Sequence, residues 1–143
     1  MSEIVVAYWS GTGNTEMMAQ AVGKGIEATG KSVQVLPMET LSPAELKDSP
    51  VWVLGCPAMG AEELEEGTVE PFVTELEACA QGKKVALFGS YDWGDGEWMR
   101  LWTQRMEQAG ASIIGGEGLI CQGTPGADAL DECETLGRDV ANS

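Results

Sequence analysis

Ser10-Gly11-Thr12-Gly13-Asn14-Thr15 follows directly on the apolar run Ile4-Val5-Val6-Ala7-Tyr8. A buried strand that ends in a loop of small, hydroxyl-bearing residues and then enters a helix constrains the fold more than any other feature of the chain. Gly11 and Gly13 let the backbone curl until several N–H groups converge on one point. Ser10, Thr12 and Thr15 add hydroxyl donors, and the following helix brings the positive end of its dipole to the same place. This is a phosphate cradle, and what it lacks narrows the reading. No Lys or Arg occurs in residues 1–23, whereas a nucleoside-triphosphate loop closes on a Lys where this chain has Asn14-Thr15. A dinucleotide fingerprint needs a third Gly where Glu16 stands. The loop suits one terminal phosphate held by neutral donors.

The rest of the chain alternates strands and helices. The runs Glu3–Trp9, Ser32–Met38, Pro50–Cys56, Lys84–Ser90 and Ser112–Ile114, the last resuming near Leu119–Cys121, are rich in Val, Ile and Leu. Their near-continuous apolarity suits parallel strands buried on both faces. Helical stripes lie between them: Met18, Ala21, Val22, Gly25 and Ile26; then Val69, Phe72, Val73, Leu76 and Cys79. Trp98, Leu101, Trp102 and Ala109 form a third, stopped by Gly110, and Leu130, Cys133, Leu136 and Val140 a fourth. Pro71 is tolerated only in a first turn, so its helix starts near Thr68; Leu41–Asp48 is a short helical turn entered at Ser42-Pro43. The alternation predicts one doubly wound α/β domain over residues 1–143, with a five-stranded parallel sheet of order 2-1-3-4-5 and helices on both faces. Ligands bind such folds beyond the carboxyl ends of the strands at the switch point, here between strands one and three.

Charge excludes several partners. Twenty-three acidic residues oppose eight basic ones, a net −15, which argues against nucleic acid and anionic membranes. Residues 51–82 carry no base but hold Glu62, Glu63, Glu65, Glu66, Glu70, Glu75 and Glu77; residues 85–99 carry none and add Asp92, Asp95 and Glu97. So focused a field is read as a docking face or a redox-tuning device rather than solubility alone. No apolar stretch approaches the ~20 residues of a membrane span, and no leader opens the chain, so a cytoplasmic protein is expected. Cys56, Cys79, Cys121 and Cys133 form no paired motif and His is absent, which predicts reduced structural thiols and no metal site.

Two further loops share the switch point: Cys56-Pro57-Ala58-Met59-Gly60-Ala61-Glu62 with the acidic run after it, and Ser90-Tyr91-Asp92-Trp93-Gly94-Asp95-Gly96-Glu97. Met59 on a polar loop and Trp93 at a loop tip are poorly placed to fill a core. They are read as the two sides of a sandwich for a flat aromatic ligand. Trp52, Trp98 and Trp102 are assigned to the core, and Trp9 borders the cradle.

Tyr8-Trp9-Ser10-Gly11-Thr12-Gly13-Asn14-Thr15, Leu54-Gly55-Cys56-Pro57-Ala58-Met59-Gly60 and Phe88-Gly89-Ser90-Tyr91-Asp92-Trp93-Gly94 together resemble the short-chain flavodoxins, most nearly those of anaerobic bacteria. The resemblance covers essentially the whole chain and implies a flavodoxin-like three-layer sandwich. It implies non-covalent FMN and a low-potential one-electron carrier, not an enzyme, that shuttles between semiquinone and hydroquinone. Ser10, Thr12, Asn14 and Thr15, with the N–H groups of Gly11 and Gly13, would hold the ribityl phosphate. Met59 and Trp93 would flank the isoalloxazine, within a ring site formed by Pro57, Ala58, Met59, Gly60, Ala61 and Glu62 on one loop and Ser90, Tyr91, Asp92, Trp93 and Gly94 on the other. Glu62 would accept from flavin N3–H, and the Gly60–Ala61 peptide would turn on reduction to offer a carbonyl to N5–H. Ala61 lacks the small polar side chain frequent in relatives, and Asp92 and Asp95 add charge where some relatives are neutral. The implied partners are redox enzymes with basic docking faces, such as flavodoxin or ferredoxin reductases and oxidoreductases, met by a monomer.

Two other readings compete. An FMN-dependent reductase on the same fold would need a substrate pocket over the flavin, which Trp93 covers. A phosphoacceptor receiver domain shares the strand order but needs an Asp at the end of strand three, where this chain reads Gly55-Cys56-Pro57.

Overall fold

Strands whose neighbouring side chains point to opposite faces need apolar cover on both, and in the computed structural model four helices supply it. The structure describes residues 3–60 and 62–143. The chain runs β1 (Ile4–Tyr8), α1 (Asn14–Glu27), β2 (Val33–Pro37), two 3₁₀ turns (Met38–Thr40, Pro43–Glu45), β3 (Val51–Gly55), α2 (Val69–Glu77), β4 (Lys84–Tyr91), α3 (Glu97–Gln108), β5 (Ser112–Ile113), β6 (Leu119–Gln122) and α4 (Ala127–Ala141). All strand pairs are parallel in the order β2-β1-β3-β4-β5, with Ile4 opposite Val33, Val6 opposite Val53 and Val51 opposite Lys84.

Alternation sorts the core into two layers. Val6, Tyr8, Val53, Ala86 and Phe88 pack on α1 and α4, while Ala7, Trp52, Leu54, Val85 and Leu87 pack on α2 and α3. The three tryptophans assigned to the core are buried there. Leu101, expected on the buried stripe of α3, is instead 52% exposed, because the helix turns Trp98, Met99, Trp102 and Met106 to the sheet.

The fifth strand is two segments. β5 pairs Ser112 with Lys84 and Ile113 with Val85; the chain then loops out and returns as β6, pairing Leu119 with Phe88 and Gln122 with Tyr91. The expected Ile114 lies outside the strand, although its N–H still donates to the Val85 carbonyl at 2.9 Å. Helix starts follow the sequence signals. Thr68 precedes α2 with Pro71 in its first turn, and Ser42 caps the Pro43 turn by accepting from Ala44 N–H at 3.3 Å while Glu45 accepts from Ser42 N–H at 2.7 Å.

α1 and α4 approach backbone to backbone. A Cβ on Gly25 would run into the Glu134 carbonyl, and one on Gly137 into the Val22 carbonyl. Gly137→Ala is expected to lower stability by about 1–3 kcal/mol through overpacking, seen as a lower urea midpoint at unchanged m. All four cysteines are free, and burial pushes the Cys56 and Cys133 thiols up to about 12. Iodoacetamide at neutral pH should therefore spare Cys56 and Cys133 in the folded chain and label both in urea, as read by peptide mass spectrometry.

Candidate functional site

The loops after β1, β3 and β4 are stitched together by the backbone. Trp9 N–H donates to the Gly55 carbonyl at 3.0 Å, Cys56 N–H to Phe88 at 3.1 Å, and Ala58 N–H to Ser90 at 3.0 Å. These bonds carry the sheet pairing past the strand ends and bring the three sequence-predicted loops to one place.

In the first loop Gly13 has φ 98° and precedes α1 with no side-chain cap. Ser10 Oγ accepts from the N–H groups of Gly13 (3.0 Å) and Glu16 (3.3 Å). Helix geometry gives Asn14 and Thr15 N–H no intrahelical acceptor, so both remain for an anion, and the Ser10 hydroxyl keeps its own hydrogen to donate. Gly11 and Thr12 are exposed beside them. Thr15 is 1% exposed; its hydroxyl lies 2.8 Å from Ser90 Oγ and accepts from Ser90 N–H at 3.3 Å. The Thr15 side chain, with Ser90, ties α1 to β4.

The second loop turns tightly, Met59 and Glu63 exchanging N–H···O bonds at 2.9 Å in both directions. Gly60 has φ 48° and Glu62 φ 55°. Ala61 lies outside the described residues. Pro57, Ala58 and Met59 are half-buried. In the third loop Trp93 is 63% exposed between exposed Asp92 and Gly94, while the Tyr91 ring packs on Trp98 with centroids 5.6 Å apart. Ala58, Gly60, Glu62, Asp92 and Trp93 line one cleft. The exposed Trp93 indole supports the platform reading; Tyr91 is turned toward the helix layer.

Glu62 has a role that sequence reasoning missed. Its Oε1 accepts from the N–H groups of Gly96 (3.1 Å) and Glu97 (3.0 Å) at the start of α3. The signal was present in Gly96, a left-handed residue with no capping side chain of its own before a helix. Two charge-assisted bonds offset the strain of a left-handed non-glycine residue. Glu62 also lines the cleft.

The acidic face is less uniform than the sequence implies. Glu65 turns inward and accepts from Gly67, Thr68 and Val69 N–H at 2.8, 2.7 and 3.0 Å, capping α2. Arg105 of α3 donates to Glu70 at 2.6 and 2.9 Å and to Glu77 at 2.7 Å, clamping α2 to α3. Asp95 pairs with Arg100 at 3.0 Å in an exposed contact. Glu63 and Glu66 are exposed with no ion pair among the described residues. Partial burial pushes the Glu65 carboxyl up, but its three N–H donors outweigh that and hold it below the usual range. The Arg105 guanidinium holds Glu70 low as well.

Both folded-state values lie below the unfolded ones, so the stability these carboxylates contribute is complete above about pH 4–5 and is lost as pH falls through their folded values. Urea midpoints should be flat from pH 7 to 5 and fall below that. Glu65→Ala should lower stability by about 1 kcal/mol at pH 7 and flatten the acid slope.

A doubly wound sheet whose switch point carries a base-free anion cradle beside an exposed indole defines a mononucleotide-binding α/β protein. Comparison with known proteins supplies the family. The flavodoxin family model matches residues 6–137. The chain is 46% identical to the flavodoxin of Megasphaera elsdenii over 140 residues, 98% of this chain and 99% of that one. It is 45% identical to the flavodoxin of Clostridium beijerinckii over 137 residues, 96% and 98% of the two chains. The solution structure of two-electron reduced Megasphaera elsdenii flavodoxin superposes with a TM-score of 0.88 at 44% identity, covering 98% of this chain and 99% of that one. The chain belongs to the flavodoxin family. Flavodoxins are FMN-binding electron-transfer proteins and not enzymes, which disposes of the reductase and receiver-domain readings. Among the described residues no helix is long and apolar enough to cross a membrane.

Proposed function

We propose that this chain, as one cytoplasmic, monomeric unit over residues 1–143, holds one FMN and works as a low-potential one-electron carrier between the semiquinone and hydroquinone levels. The observation that carries this reading is the pairing of a cradle of neutral donors with the cleft of Glu62 and Trp93 at one switch point. Ser10 to Thr15 take the phosphate: Asn14 and Thr15 offer N–H groups with no intrahelical acceptor, and Ser10, whose Oγ holds Gly13 N–H, donates its hydroxyl. Residues 57–62 and 90–94 take the ring system, with Met59 and Trp93 on its faces and Glu62 accepting from its imide N–H. Bound there, FMN supplies the redox chemistry; the chain supplies orientation, cover and field.

That field favours low potential. The cradle adds no cation to offset the phosphate, and Glu62, Asp95 and Glu97 hold carboxylate oxygens within 4.8 Å of one another beside the cleft. A unit charge at about 10 Å and an effective dielectric of about 20 costs about 1.7 kcal/mol, so each poorly screened carboxylate lowers the second potential by tens of millivolts. Asp95 contributes less than its charge implies, because Arg100 is 3.0 Å away. Gly60 supplies the backbone freedom for the following peptide to turn toward N5. A Cβ there meets no heavy atom within 4 Å, so a substitution acts through backbone preference at φ 48° and not through a clash. The partners are redox enzymes presenting basic faces to the Glu62–Glu70 rim, and the association weakens as salt rises.

Anaerobic reductive titration followed by absorbance tests the reading. One FMN per chain passing through a long-lived blue radical is the expected result. A protein that cannot be reconstituted with FMN, or a flavin that bleaches without a radical, overturns it. Gly60→Val should keep FMN but lower the first potential by roughly 50–100 mV, from a backbone cost of about 1–3 kcal/mol.

A further inference from the structure

Asp95 is the only aspartate in the chain followed by glycine, and no asparagine is. That pairing carries a backbone chemistry of its own. Glycine places no Cβ beside its amide nitrogen, so the nitrogen can reach the preceding side-chain carboxyl where bulkier residues block it. Asp95 stands in the third loop with its side chain 76% exposed, and Gly96 has a left-handed φ of 89°.

Native bonds occupy both reacting groups. One guanidinium bridges Asp95: Arg100 Nη1 donates to its carbonyl oxygen at 2.9 Å and Nη2 to its carboxylate at 3.0 Å. The Gly96 N–H is given to Glu62 Oε1 at 3.1 Å, where the Glu97 N–H joins it at 3.0 Å. Carboxylate oxygens of Glu62 and Asp95 lie within 4.8 Å, so the acceptor that holds the amide and the carboxyl it would attack are neighbours. Gly96 itself is buried, and a Cβ on it would run into Ile120. The Asp95 carboxyl and the Gly96 nitrogen are thus held by different partners, and both come free when the first turn of α3 opens. Helix ends are where such local openings cost least.

We propose that Asp95-Gly96 is a site of spontaneous backbone isomerisation, and that Arg100 and Glu62 set its rate. In the open turn the Gly96 nitrogen bonds to Asp95 Cγ, and the amide hydrogen leaves with the carboxyl hydroxyl as water. The product is a five-membered cyclic imide. Water then adds to one of its two carbonyls and breaks the bond from that carbonyl to nitrogen. Opening at Cγ restores aspartate; opening at the main-chain carbonyl leaves Gly96 joined through the Asp95 side chain. Nothing is oxidised or reduced, and water is the only co-reactant. The isomerised chain carries an extra methylene in its backbone, so Gly96 and Glu97 no longer present their N–H groups to Glu62 as they do now. The modification therefore falls between Trp93 and the clamp on Glu62, inside the loop assigned to the ring.

The test ages the FMN-loaded protein at neutral pH in oxygen-18 water, digests it, and scores isoaspartate at Asp95 by enzymatic methylation and peptide mass spectrometry. The urea-unfolded chain supplies the unrestrained rate. The folded protein should isomerise more slowly than the unfolded chain. Arg100→Ala and Glu62→Ala should each raise the folded rate about tenfold, the factor lost with a hydrogen bond to a charged group. Hydrogen exchange at the Gly96 amide should rise by the same factor, since both processes pass through the same opening. If Asp95 isomerises as fast folded as in urea, the two bonds restrain nothing and the proposal is wrong. If exchange quickens in the variants while isoaspartate does not, the linkage is unreactive in this fold and the proposal is equally wrong. Arg100 is exposed and outside the ring loops, so Arg100→Ala decides the matter should Glu62→Ala fail to fold. None of these readouts passes through the flavin.

Discussion

The contact on which the site depends is the buried pair of hydroxyls at Thr15 and Ser90, 2.8 Å apart, with Ser90 N–H donating back to Thr15 at 3.3 Å. It joins the first turn of α1 to the end of β4, 75 residues later in the chain. The cradle is a helix terminus and the platform is a loop on β4, so without a rigid tie their separation would follow the packing of α1 on the sheet. Two hydroxyls in a dry environment satisfy each other strongly and tolerate little displacement. The cost of burying them is offset only while both are present, so the pair reinforces the packing of α1 on β4 in fixing the distance from cradle to platform.

A second constraint is the end of each helix. α1, α2 and α3 all begin without a capping hydroxyl or amide at the residue before the helix. Ser10 serves α1 from three residues upstream of Gly13, Glu65 serves α2 from within the preceding loop, and Glu62 serves α3 from a different loop altogether. Two of the carboxylates that read from sequence as a solvated acidic rim are therefore structural acceptors, and two more are clamped by Arg105. The face stays acidic, with Glu63, Glu66, Glu75, Asp92 and Glu97 exposed and in no ion pair among the described residues.

The fold was legible because its signals are local. Near-continuous apolar runs, stripes at helical spacing, Pro71 and Ser42-Pro43 each speak to a single element, and the helices and first four strands formed close to where expected. The cradle was legible for the same reason: a strand end, a glycine turn and a helix start are contiguous. What escaped was non-local. Nothing around residue 15 says that its hydroxyl will meet Ser90, 75 residues on. Nothing around residue 62 says that its carboxylate will hold the start of a helix more than thirty residues on. Leu101 was misjudged because spacing alone does not fix the helix's rotation, and Trp98, Met99, Trp102 and Met106 take the buried face instead. The split of the fifth strand was legible in part, since Gly115, Gly116 and Gly118 interrupt an apolar run, but the register of β6 on β4 is set by pairing.

Glu62 draws these strands together. A carboxylate at the ring edge disfavours added electrons, and one that was merely solvated would be screened and mobile. Bound through Oε1 to two N–H groups at the positive end of α3, it is fixed in place and keeps its charge, while the helix dipole compensates part of it on the side away from the cleft. The two N–H groups that fix the carboxylate also offset the strain of a left-handed backbone at a residue with a Cβ.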